Sequence, residues 1–196
     1  MRNFLLGFVV AVLLVLSGVF CYVRFGFADP RADVEVGALE RKIAMPSLDA
    51  AVDRRAPEVQ NPTQPTDANL TAGMAIYQAN CASCHGDLHR PHGMFADAFY
   101  PRAPQFVEDA PDMPENQNFY IIQHGIRLSG MPAWKQVLNE QQMWQVTVFL
   151  SHMDKLSPQV SAVWNTAAGG SPSTDSLPGG SKMEMKDKKK MDMPMH

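Results

Sequence analysis

Cys81 and Cys84 stand three positions apart, and His85 follows directly. The Cys-x-x-Cys-His spacing lets each thiol reach one vinyl group of a single porphyrin and form a thioether. It also sets the adjacent imidazole beneath the iron as a proximal ligand. Two other readings of the same residues compete: a redox Cys-x-x-Cys pair followed by an incidental histidine, or half of a zinc site. A four-cysteine zinc site is excluded, because the chain's third cysteine is Cys21, inside an apolar run. A thioredoxin-like pair calls for a βαβ context, and no such pattern is visible. The motif therefore predicts one covalent haem c on Cys81 and Cys84, with His85 as an axial iron ligand.

Met131 is the candidate for the second axial position. It lies in Ser129-Gly130-Met131-Pro132-Ala133-Trp134, between two expected helices rather than inside a periodic apolar segment. A thioether is a soft ligand that favours ferrous iron and raises the reduction potential. Glycine before it allows close backbone approach, and proline after it holds the chain extended. Met94, Met113 and His124 are the rivals for this role, and a plain core methionine is the bland alternative.

The elements that position these residues read as helices. Leu70, Met74, Tyr77 and Cys81 follow at spacings of four, three and four, which is one helix face, with Asp67 or Asn69 as cap. Residues 86–116 are rich in glycine and proline and read as loop. Gln117 to His124 reads as a short helix ended by Gly125. Asn139 to Gln142 resembles a capping box at the start of a further helix, with Pro158 expected to end it. The fold class is thus all-α, with three main helices and long loops. Loops of that length need a body to pack on, and a haem supplies one. Phe95, Phe99, Phe106, Ile122 and Trp134 are candidates for its walls.

Four regions follow along the chain. Residues 1–28 hold a twenty-residue uncharged run, Phe4 to Val23, long enough to cross a hydrocarbon core of roughly 30 Å. A signal-peptide core is usually shorter, and Arg24 closes the run as an anchor flank would, so an uncleaved anchor is favoured over a signal. Residues 29–65 carry five prolines and read as a stiff, extended linker, with short helices at 36–45 and 48–55. Residues 66–157 are the folded domain. Residues 158–196 read as a flexible tail of linker composition that becomes rich in methionine and lysine. In that tail Met183, Met185, Met191, Met193, Met195 and His196 are candidate copper ligands, since thioethers select Cu(I). A solvated low-complexity tail is the alternative. Hydrophobic content is an ordinary 45%, and the net charge of -3 gives no electrostatic footprint for nucleic acid.

From about Leu70 to Ser157 the chain resembles the single-haem class I cytochrome c, of the membrane-anchored bacterial type. Gly73 and Tyr77 ahead of Cys81, and Phe149 on the last helix, stand where that family crosses its first and last helices. Tyr120 to Trp134 resembles the methionine-ligand half of membrane-associated bacterial members. The resemblance implies that Gly73 permits the crossing and that Tyr77 and Phe149 pack over it. It also implies a proline soon after the motif whose carbonyl orients His85; Pro91, Pro101 and Pro104 are the candidates. His89 and His92 form an unusual run beside the motif. They read as exposed loop histidines, or alternatively as a second metal site or a replacement haem ligand.

The function so implied is single-electron transfer rather than catalysis, from a dehydrogenase or quinol-oxidising complex to a terminal oxidase. The haem domain would stand on the periplasmic side of a bacterial cytoplasmic membrane, held by a single-pass anchor. A haem subunit of a larger oxidoreductase complex, and a metal-handling protein using the tail, are the alternatives.

Overall fold

A computed structural model describes residues 1–27 and 29–167. Among these residues there are seven α-helices and no strand: α1 (Arg2–Arg24), α2 (Ala38–Arg55), α3 (Asp67–Asn80), α4 (Ala82–His85), α5 (Glu115–His124), α6 (Glu140–Leu150) and α7 (Pro158–Ala167). A 3-10 turn, Trp134–Gln136, precedes α6. The expected all-α class with long loops is what forms.

The domain is organised on α3 and α6, which make the most extensive helix contact, with α5 and α7 packed beside them. Gly73 explains how α3 and α6 come so close. A Cβ at that position would fall inside the Gln145 carbonyl and only 2.8 Å from the Phe149 Cβ. Tyr77 and Phe149 then meet across the crossing with ring centroids 5.6 Å apart, and both side chains are fully buried. The start of α6 is a capping box: Asn139 Oδ1 accepts from the Gln142 backbone N–H at 2.9 Å, and Gln142 Oε1 accepts from the Asn139 N–H at 3.0 Å. The cap of α3 is Thr66 rather than Asp67 or Asn69. Its hydroxyl oxygen accepts from the Asn69 N–H at 3.3 Å.

Two segments differ from expectation. In the stretch expected to be an extended linker, residues 38–55 form one continuous helix through Pro46 rather than two short ones. Proline removes one intrahelical donor, and within the same turn the Ser47 hydroxyl donates to the Ile43 carbonyl at 2.6 Å. This helix is not a free spacer. Val52 is buried, Gln117 Nε2 donates to Asp53 Oδ1 at 2.8 Å, and Asn116 Nδ2 donates to the Pro57 carbonyl at 3.0 Å.

The second difference is at Pro158. Helix α6 ends at Leu150, and Pro158 opens α7 instead of terminating α6. Proline suits the first turn of a helix, where its missing donor has no partner to lose. Ser157 Oγ accepts from the Val160 N–H and donates to Asp67 Oδ1 at 2.9 Å, tying α7 to the start of α3. Val160 and Trp164 are core residues. The first ten residues of the expected tail therefore belong to the folded unit. Residues 168–196, with Met183, Met185, Met191, Met193, Met195 and His196, lie outside the described residues.

Helix α1 is 23 residues long, with no buried position, and is apolar enough to cross a membrane by length and composition. It fits a membrane anchor or a signal sequence.

Candidate haem site

Helix α3 ends at Asn80 and hands the chain to α4, the single turn that carries Cys84 and His85. Cys81 joins the two: its N–H donates to the Tyr77 carbonyl, and its own carbonyl accepts from the Cys84 and His85 N–H groups. Both thiols and the imidazole are thus displayed from one helical turn on a buried base. Gly86 leaves that turn at φ 82°, a conformation that favours glycine. The Tyr77 hydroxyl donates to the Gly86 carbonyl at 2.7 Å, so the interhelix aromatic also anchors the motif from below.

His85 is oriented on two sides. Its Nδ1 donates to the Pro104 carbonyl at 2.9 Å, which selects Pro104 from the three candidate prolines. With the proton on Nδ1, Nε2 is the ring's acceptor nitrogen, the form a metal ligand needs. Phe106 lies flat on the imidazole, with centroids 4.4 Å apart and planes 3° apart. Burial lowers the His85 pKa, partly offset by the Pro104 hydrogen bond, so the ring is neutral at neutral pH.

Gln105 is a functional residue that sequence reasoning passed over. Its Oε1 accepts from the Gly93 N–H at 2.7 Å, and its Nε2 donates to the Cys84 carbonyl at 3.1 Å and the Ala103 carbonyl at 2.6 Å. One side chain thereby ties the cysteine motif to both arms of the following loop. An amide in a proline-rich loop gives no local signal of this role.

Met131 sits on a separate, closed loop after α5. Gly125 caps α5 at φ 65°, the Ile126 N–H donates to the Met131 carbonyl at 3.1 Å, and the Met131 N–H donates to Ser129 Oγ at 3.1 Å. The thioether side chain is half-buried against the core. Segment 93–99 bridges the two halves of the site. Gly93 abuts the Cys84 backbone, the Phe95 N–H donates to the Ser83 carbonyl at 2.9 Å, and the Phe99 ring packs on Gly130. Among the rivals, Met94 and His124 are exposed, and half-buried Met113 lies at the foot of α5, where its carbonyl accepts from Asn118 Nδ2 at 2.9 Å.

The proposed wall residues divide. Ile122 is in the core, and Phe106, Phe99 and Trp134 are half-buried, whereas Phe95 is largely exposed. His89 and His92 are exposed; His92 Nε2 pairs with Asp97 Oδ2 at 2.9 Å. No cluster of three metal-binding side chains occurs among the described residues.

The residues present fit a haem. Burial first, and Cys84 second, push the Cys81 thiol up to about 12, so it holds its proton at neutral pH. No cluster of three metal-binding side chains forms around it among the described residues, so Cys81, Cys84 and His85 are not arranged as a zinc site. Among the described residues the Trp134 Nε1–H, three residues after Met131, is buried without a partner, a donor suited to the carboxylate edge of a porphyrin.

Residues 68–150 match the family model described as "Cytochrome C oxidase, cbb3-type, subunit III". This segment is a class I c-type cytochrome domain. The cytochrome domain occupies less than half of the 196-residue chain and ends at the last residue of α6, so α7 lies beyond the match. Among solved structures, a chain of the Kuenenia stuttgartiensis reducing HAO-like protein complex is similar at 22% identity with a TM-score of 0.39. The match covers 59% of this chain and 60% of that one. No curated protein matches the chain. A cytochrome c domain binds haem c and transfers electrons.

Proposed function

We propose that this protein is a membrane-tethered c-type cytochrome that carries single electrons through one covalent haem. Cys81 and Cys84 would hold the haem as thioethers, and His85 and Met131 would be the side chains that ligate its iron. The observation that carries this reading is the His85–Pro104 hydrogen bond. It presents Nε2 of a neutral, half-buried imidazole from the same turn that displays both thiols.

The haem supplies an iron that changes valence by one electron. The chain's residues do the rest. Pro104 and Phe106 fix the plane and tautomer of His85. The Gly125–Pro132 loop holds the Met131 sulfur on a backbone closed by its own hydrogen bonds, and a thioether ligand raises the potential. With His85 and Met131 both on the iron, no position would remain for substrate, which would separate a carrier from a haem enzyme. Helix α1 would tether the domain to the outer face of a bacterial cytoplasmic membrane. The donor would be a dehydrogenase or quinol-oxidising complex and the acceptor a terminal oxidase.

A second reading is supported by the description of the matching family as an oxidase subunit: the chain would be a haem subunit of a larger oxidoreductase complex rather than a free carrier. Mild detergent extraction separates the two, since a carrier migrates alone and a subunit migrates with its complex.

Covalent attachment is tested by haem staining after denaturing electrophoresis. The parent should retain one haem per chain, and C81S or C84S should each leave a single thioether, detected as a shifted pyridine haemochrome band. Loss of all haem from the denatured parent would refute the assignment.

A further inference from the structure

Helix α2 has two apolar faces, and one of them has no partner among the described residues. Leu48 and Val52 mark the inner face: Leu48 is half-buried and Val52 buried, and just beyond them Asp53 and the Pro57 carbonyl accept from Gln117 and Asn116 of α5. Leu39 and Ile43 each precede one of that pair by nine residues, about two and a half turns of a 3.6-residue helix, and so stand on the opposite face. Leu39 is 72% and Ile43 59% exposed. Pro46 and Ala50, both exposed, continue the same stripe. Lys42 and Asp49 flank it on one edge and Glu40 on the other.

The length of chain behind this stripe says what it meets. Helix α1 ends at Arg24. Asp33 follows nine residues later, and there the chain is already seated on the haem domain. The Asp33 carbonyl accepts from Arg102 Nη2 at 3.3 Å, and Val34 and Val36 are half-buried. Arg102 also donates to the Asp97 carbonyl, on the segment that bridges the two halves of the site. Nine residues reach at most about 30 Å even when fully extended. With α1 in a bilayer, α2 therefore stands one short tether from the lipid surface, and the face it turns away from α5 is the apolar one. A tether of this length raises the effective concentration of lipid at α2, so a modest surface affinity is enough to seat it.

We infer that α2 is a surface-lying helix whose Leu39, Ile43, Pro46 and Ala50 face seats on the lipid bilayer and docks the haem domain in one orientation. The inference rests on the reading of α1 as a tether. Leu39 and Ile43 enter the boundary between headgroups and acyl chains, as the apolar face of an interfacial helix does. Lys42, at the edge of the stripe, lays its stem along that boundary and keeps its ammonium among the headgroups. The inner face stays on the protein, so one helix joins the haem domain to the membrane surface.

The test uses the full-length holoprotein in lipid nanodiscs, with C21S as background and a bimane fluorophore attached in turn to L39C, I43C, A50C and A44C. Ala44 is exposed but lies about 100° further round the helix than Ile43. A phospholipid carrying a nitroxide high on its acyl chain reports lipid contact, and aqueous iodide reports water. The expected result is lipid quenching with loss of iodide access at positions 39, 43 and 50, and the reverse at position 44. L39E/I43E should abolish lipid quenching at A50C while leaving the haem spectrum unchanged. Iodide access equal at all four positions would overturn the proposal. So would iodide shielding without lipid quenching, which would give the stripe to a protein partner instead. Failure of the tether reading is separately visible: an alkaline carbonate wash would then release the chain from its native membrane, whereas failure of docking alone would leave it anchored.

Discussion

The carbonyl oxygen of Pro104 lies 2.9 Å from Nδ1 of His85, nineteen residues away along the chain. This contact fixes the proton on Nδ1 and leaves Nε2 as the nitrogen that would face an iron, and it depends on how the loop returns. Gln105 holds that return through its bonds to Gly93, Ala103 and Cys84. Q105A should lower stability to denaturant by about 1–3 kcal/mol, because it leaves a half-buried backbone donor and two acceptors unpaired. The Soret band should broaden as His85 loses its fixed plane. Equilibrium urea unfolding of the holoprotein measures the first effect; an unchanged midpoint would show that the loop holds itself without Gln105.

Helix crossing at Gly73 gives the next expectation. A methyl group there has no space, because the neighbours are the Gln145 backbone and the Phe149 Cβ rather than a flexible side-chain end. G73A should cost about 1–3 kcal/mol or more, the range for overpacking that must displace backbone. Tyr77 near-ultraviolet dichroism should change with it. Substitution of an exposed helical glycine would instead stabilise, since alanine is the better helix former.

How much of this was legible beforehand depended on whether a signal was local. The 4-3-4 spacing of Leu70, Met74, Tyr77 and Cys81 marks a helix face whatever the rest of the chain does, and α3 forms there. Gly-Met-Pro around Met131 is likewise local, and the chain is a loop at that point. Pro46 and Pro158 misled because proline has two helical meanings. It reads as a breaker, but Pro158 is the opening residue of α7, and Pro46 is accommodated within α2. The choice of Pro104 over Pro91 and Pro101 could not be made from spacing, since it turns on where the loop's carbonyls fall in space. Trp164 had no signal at all, because its partners Tyr77 and Phe149 are 87 and 15 positions away.

Helix α7 supplies a prediction that bears on domain extent. Trp164 packs at a tilt against Phe149 and is almost fully buried. W164A should cost about 3–5 kcal/mol, the usual loss for truncating a buried aromatic. A chain ending at residue 157 should be destabilised at least as much. If that truncated chain unfolds at the parent's urea midpoint, α7 is an accessory rather than part of the core.

His124 gives the pH dependence. Slight desolvation of this exposed ring first, and the Lys135 ammonium second, hold its pKa below the ordinary 6.5; Lys135 Nζ is 3.5 Å from Nδ1, and the Tyr120 ring lies beside it. The unfolded chain therefore takes up this proton more readily than the folded one. The stability involved is fully present above about pH 6.5 and is lost as pH falls through the folded value. H124Q should flatten the decline between pH 7 and pH 5 in unfolding experiments. An unaltered slope would place that decline on other groups.

The central claim is that Met131 completes the coordination of the iron, and the optical spectrum with carbon monoxide tests it most directly. The oxidised parent should show the weak long-wavelength band of thioether-bound ferric haem, and the reduced parent should not bind carbon monoxide. M131A should lose the band, bind carbon monoxide when reduced, and have a lower reduction potential. Ready carbon monoxide binding by the parent, with a spectrum that M131A leaves unchanged, would contradict the assignment and make the iron an open site.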